Sequence, residues 1–146
     1  MIRYLEDFEA GQKFGSARLS VEAARIKSFA AEFDPQPFHV SEESAQHTFF
    51  KGLAASGWHT AAISMRLVVK SVPIRGGIVG AGGELTWPTL TRPGVTLHVE
   101  SEILELRPSR SHPDRGMATL RSETVNQHGE VVLVLIAKLV VPRRTS

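Results

Sequence analysis

After Ser56-Gly57 the chain reads WHTAAISMRLVVK, and whatever covers this segment fixes the fold. Trp58, Ala61, Ala62, Met65, Val68 and Val69 recur at helical spacing as one wide apolar face, which Ile63 and Leu67 extend. His59, Arg66 and Lys70 interrupt it, and Ser64 reads as a helix-packing residue. The spacing predicts one long helix over about 58–71, and a helix apolar over so much of its circumference belongs in the middle of a fold.

The segments after Pro73 supply a cover. Gly76–Trp87 is glycine-rich and ends in strand-like ELTW. Val95, Leu97 and Val99 alternate with polar residues, and after Ile103 the alternation resumes out of step at Leu104 and Leu106, which predicts a β-bulge. Gly116–Val125 reads as a further strand, Asn126-Gln127-His128-Gly129 as a hairpin turn, and VVLVLIAKLVV as a strand buried on both sides or nearly so. Earlier in the chain, Ser20 is placed to cap a helix running to about Phe33, where Asp34-Pro35 stops it. Ser41 caps a second, short helix with Glu42 and Glu43 in its first turn. Helices first, then three or four long strands in a meander, is an α+β pattern, with the sheet curled around a central helix.

At 146 residues, with no repeat or linker, the whole span 1–146 is expected to be one domain. A net charge of +2, spread along the chain apart from Arg143–Arg144, gives no nucleic-acid footprint. There are no cysteines, so thiolate chemistry, disulfides and cysteine-based zinc sites are excluded. The six histidines show no ligand spacing such as HExxH, so neither a metal nor another cofactor is expected. The first 20 residues lack the apolar core of a signal peptide, and Val131–Ala137, the longest apolar run, is too short to span a membrane. A cytoplasmic protein with no membrane partner is the expectation.

Chemistry concentrates in FDPQPFH, residues 33–39. Asp34 stands five residues ahead of His39, with Pro35 and Pro37 between them. The prolines fix φ and remove two backbone donors, so the spacer is stiff and excluded from a sheet interior. Stiffness suits two proton-transfer groups held about one water or substrate proton. The plain alternative is a turn in which Asp34 caps the chain and His39 is a satisfied, half-buried histidine.

Asp34-x-Gln36-Pro37-x-His39, followed by Ala45, resembles the hydratase motif of the MaoC-like dehydratases, the (R)-specific enoyl-CoA hydratase family. The resemblance continues through GLAASGWHT (52–60), TLTRPGVTLHVESEILELRPS and the last strand, nearly the whole chain. Gln36 stands where that motif usually has Asn, an amide one methylene longer. The resemblance implies a hot-dog fold, a curved antiparallel sheet wrapped around a long helix, and a homodimer with its active site near the subunit interface. It implies reversible hydration of a trans-2-enoyl-CoA thioester to the (R)-3-hydroxyacyl product. Asp34 and His39 would then be the catalytic pair, with Asp34 assigned as base. The Gly57 N–H would receive the thioester oxygen, and Gln36, Ser56 and His59 would border the substrate. For His59 a purely structural role is the preferred reading, since no partner is evident from sequence.

Two other features carry bland readings. The glycines of GGIVGAGG (76–83) lack the ending and spacing of a phosphate loop and point to a bulge or close backbone approach. Arg107, Arg110 and Arg115 could meet coenzyme A phosphates or simply decorate a solvated hairpin. The competing function is a non-catalytic hot-dog subunit or acyl-thioester binding protein, because fold alone does not fix function; a thioesterase is a third.

Overall fold

The computed structural model describes residues 2–144. A 3-10 turn (Leu5–Asp7) leads into two short strands, β1 (Lys13–Gly15) and β2 (Leu19–Ser20). Three helices follow: α1 (Ala23–Phe33), α2 (Pro37–Val40) and α3 (Glu42–Gln46). The long helix α4 (Gly57–Ser71) then precedes four strands, β3 (Val79–Thr86), β4 (Thr96–Pro108), β5 (Arg115–Val125) and β6 (Val131–Pro142).

The six strands form one antiparallel sheet in the order β1-β4-β5-β6-β3, with β2 also pairing on β4. This is the curved sheet around a helix expected of the hot-dog fold. The meander holds for β4, β5 and β6, but β3 does not join it through β4; it crosses to the far side of β6 and forms that edge. Strands β1 and β2 were not foreseen, being too short to show a period.

The slip after Ile103 is a bulge: pairing with β5 shifts between Ile103 and Glu105. The extra residue, Leu104, points outward, while Ile103 is fully buried and Leu106 packs on the core. A second shift lies between Gly80 and Gly82 in β3. The segment 76–83 therefore enters a strand, not a helix N-terminus that could hold phosphate. The turn after β5 closes as read, with Gly129 N–H donating to Asn126 O at 3.1 Å.

Helix α1 starts later than expected. Ser20 belongs to β2, and Glu22 occupies the N-cap with no side-chain hydrogen bond. Its end is as predicted, with Asp34 at the C-cap donating its N–H to Ala30 O at 2.8 Å. Ser41 caps α3 through Ser44 N–H at 3.2 Å.

Helix α4 is one helix, capped by Ser56, but its buried face is rotated from the one read off the sequence. His59, Thr60, Ile63, Ser64, Leu67 and Val68 are buried, while Trp58, Met65 and Val69 are exposed. Hydroxyls make the difference. Ser64 Oγ donates to Thr60 O at 2.7 Å and lies 2.5 Å from Thr124 Oγ1, and Thr60 Oγ1 donates to Thr91 Oγ1 at 3.0 Å. Satisfied in this way, small hydroxyls pack beneath the sheet as readily as alanines. Around them Ile26, Leu97, Val99, Ile103, Leu120, Val132 and Val141 are sealed in the core, each stabilising by about 1.5–3 kcal/mol. No helix among the described residues is long and apolar enough to cross a membrane.

Candidate active site

Asp34 and His39 come together because two helix boundaries meet there. Asp34 ends α1, since the following proline forbids it a helical conformation. Pro37 then opens α2 at its first turn, where a missing N–H is harmless, and His39 sits in that short helix. The result places His39 Nε2 3.4 Å from Asp34 Oδ2, with the imidazole buried and the Asp34 side chain only 17% exposed.

Each group is held from behind. His39 Nδ1 lies 2.6 Å from the carbonyl oxygen of Ala54, which can only accept, so Nδ1 carries a proton. Nε2 is then the nitrogen that gains or loses the mobile proton, and it faces Asp34. The carboxylate accepts from Ser56 Oγ at 2.7 Å and from Gln36 Nε2 at 2.5 Å, on different oxygens. Burial works to raise the Asp34 pKa, but the Ser56 and Gln36 hydrogen bonds and the nearby His39 outweigh it and hold the carboxyl below the usual range.

The pair opens on a pocket of about 430 Å³ bordered by Phe50, Gly57, Thr60, Trp87 and Leu90. Gly57 is the first residue of α4, and its N–H finds no acceptor among the described residues. A free N–H at the positive end of a fifteen-residue helix can stabilise an oxygen that gains negative charge. Trp87 lies across it, Nε1 donating to Gly57 O at 3.0 Å, and a Cβ on Gly57 would sit 2.8 Å from Trp87 Cε2. Glycine lets the Trp87 ring approach this closely, and any larger residue would have to displace it; the backbone angle makes no such demand.

Of the six residues singled out from sequence, the structure brings five together. Asp34, His39 and Gly57 line the pocket. Gln36 and Ser56 are placed on the carboxylate of Asp34 instead of on the pocket wall, and Ser56 is fully buried. His59 faces away, stacked on Phe29 with 4.6 Å between ring centroids, and borders a different cavity.

Three contributors were missed. Ala54 acts through its carbonyl oxygen, which any residue could supply, so sequence carries no signal for it. Trp87 was visible only as the end of the strand-like ELTW, and Arg92 only within the stretch beginning TLTRPG that carries the family resemblance. The Arg92 guanidinium donates to Phe50 O, Gly52 O and Leu53 O at 2.6, 2.9 and 3.1 Å, pinning the loop that carries Phe50 and Ala54 to the site.

Arg107 and Arg115 form ion pairs with Glu105 and Asp114 on the β4–β5 hairpin, away from this pocket. Among the described residues no group of three or more His, Asp or Glu could hold a metal ion.

A family model described as a MaoC like domain matches residues 7–126. The chain is 36% identical over 126 residues to the uncharacterized protein YdeM of Bacillus subtilis, covering 84% of this chain and 87% of that one. It is similar to the crystal structure of a MaoC-like dehydratase from Rhodospirillum rubrum, at 59% identity and TM-score 0.95 over 99% of both chains. It is also similar to the unliganded (R)-hydratase PhaJ1 of Pseudomonas aeruginosa, at 27% identity and TM-score 0.77, covering 97% of this chain and 86% of that one.

Proposed function

The chain belongs to the MaoC-like dehydratase family, and from that premise we propose that it reversibly hydrates trans-2-enoyl-CoA thioesters to (R)-3-hydroxyacyl-CoA. One observation carries the reading: Asp34 Oδ2 and His39 Nε2 face each other at 3.4 Å, each fixed from behind, beside the free Gly57 N–H. Two such atoms can hold one water at the pocket wall and move its protons.

In the hydration direction Asp34 Oδ2 takes a proton from the water as its oxygen bonds to C3 of the enoyl group. The C2–C3 π electrons shift toward the thioester carbonyl, whose oxygen accepts from Gly57 N–H. His39 Nε2–H then delivers a proton to C2, and the carbonyl re-forms. Asp34 returns its proton to Nε2 across the 3.4 Å contact, so the pair is reset and one water has been added. The lowered Asp34 pKa keeps the carboxylate ionised at neutral pH, ready to accept. Ser56 and Gln36 hold it in line, the longer amide of Gln36 donating from Nε2 to Asp34 Oδ1.

A homodimer completes the proposal. Strand β3 is an edge, exposed along nearly its whole length, and unpaired edges invite pairing with a second copy. Trp58, Met65 and Val69 present apolar surface on the outer side of α4. Light scattering at micromolar concentration should give twice the chain mass or a multiple of it; a monomer would remove the dimer from the reading. The activity is tested by offering purified protein a panel of trans-2-enoyl-CoA esters and following loss of the conjugated thioester absorbance. Absence of turnover on every ester would leave the non-catalytic hot-dog module in its place.

A further inference from the structure

A second cavity of about 460 Å³ lies between the start of α1 and the flank of α4, and it shares no lining residue with the Asp34–His39 pocket. Val21, Phe29 and Ile63 give it apolar walls, and Arg25 and Arg66 stand over it from the two helices. Neither arginine has an ion-pair partner among the described residues. Glu22 is the single carboxylate on the lining, so the cations outnumber it two to one.

His59 holds one of two buried side-chain nitrogens with no hydrogen-bond partner among the described residues, the other being Arg3 Nε. The imidazole is 7% exposed, one face is covered by Phe29, and the unpartnered nitrogen is Nδ1. Burial, and then the charge of Arg25, hold its pKa below the usual imidazole range. The buried, unpartnered imidazole nitrogen costs stability, and the two exposed guanidinium groups at the cavity leave positive charge free for an anion.

We propose that this cavity binds a small aliphatic monocarboxylate, with its anionic end between Arg25 and Arg66 beside His59 and its hydrocarbon body on Val21, Phe29 and Ile63. Guanidinium forks match the two oxygens of a carboxylate. The apolar walls reward a hydrocarbon body, which inorganic phosphate lacks. Glu22 on the lining repels a second negative charge, which favours a monoanion over a dianion. The volume lies within the range of small-ligand sites. The site uses none of Asp34, His39 or Gly57, so it stands whether or not the chain is a hydratase.

Hexanoate is a suitable probe, read by the imidazole resonances of His59 in the full-length protein and assigned with His59→Gln. Saturable shifts with a Kd of about 1 mM or tighter are expected. Arg25→Gln and Arg66→Gln alter exposed side chains outside the core, and each should weaken binding at least about tenfold. Neutral hexanamide should not bind. The proposal is overturned if His59 does not respond, if both variants bind like the wild type, or if hexanamide or inorganic phosphate matches hexanoate. A second copy of the chain seated over the cavity would appear as no response, and would overturn it too.

Discussion

Ser56 Oγ donates to Asp34 Oδ2 at 2.7 Å while accepting from the Trp58 N–H at 3.2 Å, so one hydroxyl both caps α4 and orients the carboxylate. Ser56→Ala should cost about 1 kcal/mol through the lost cap, seen in urea or thermal unfolding. It should also raise the Asp34 pKa, because a hydrogen bond that lowers it is gone. The acid limb of the kcat–pH profile should therefore move to higher pH. Stability from Asp34 is complete above its unfolded pKa of about 3.9 and is lost as pH falls through the lower folded value. The variant, with less depression, should gain less from this group above that window. An acid limb left in place would show that Ser56 does not tune the carboxylate.

Gly57 and Trp87 set up a comparison between two variants. Both Gly57→Ala and Gly57→Pro add a Cβ that meets the Trp87 ring at under 3.0 Å, so both must displace it and change its fluorescence. Proline alone also removes the N–H, at a first helical position that tolerates it. Turnover by Gly57→Pro should be lower than that of Gly57→Ala by roughly 10²–10³, the size of other oxyanion donors. Equal rates in the two folded variants would mean the N–H stabilises no developing charge.

Arg92 touches no pocket atom in the proposed chemistry but holds three carbonyls of the loop leading to Ala54. Arg92→Leu should destabilise the fold by about 2 kcal/mol or more, since it leaves half-buried carbonyls unsatisfied. With Ala54 O free to drift, the His39 tautomer is no longer enforced. In the folded fraction kcat should fall more than KM rises, and the hydrogen-bonded Nδ1–H resonance of His39 should weaken. A kcat unchanged per folded molecule would reduce Arg92 to a stability element.

Long periodic segments were legible in the sequence. Alternation located β4 and even the bulge after Ile103, because a one-residue slip reverses which side chains are buried, while the hairpin turn and a continuous apolar run marked β5 and β6. Helix α4 was legible in extent but not in orientation: Ser64 read as a packing residue and is buried, but Thr60 counts as polar until Thr91 is seen to satisfy it. The pairing of β3 with β6 depends on contacts about fifty residues apart that no local pattern records. At the site the proline-spaced Asp34 and His39 were readable as a pair. The supports were not, since a backbone carbonyl such as that of Ala54 has no side-chain signature.

The proposed catalytic pair, Asp34 and His39, yields the most direct prediction. Asp34→Asn keeps the shape and the Ser56 contact but removes the proton acceptor; His39→Gln removes the group that returns a proton to C2. Each variant should fold, and each should lose at least about 10² in hydratase kcat. In the proposed mechanism the two act on one water and reset each other across 3.4 Å, so removing the second after the first should cost little more. The double variant should therefore fall close to the slower single one, whereas independent groups would multiply their losses. The measurement is kcat on the best enoyl-CoA ester for all four proteins, with folding checked by circular dichroism. If Asp34→Asn hydrated that ester at the wild-type rate, the stiff FDPQPFH segment would be shaping a turn, and the water would have to be activated elsewhere.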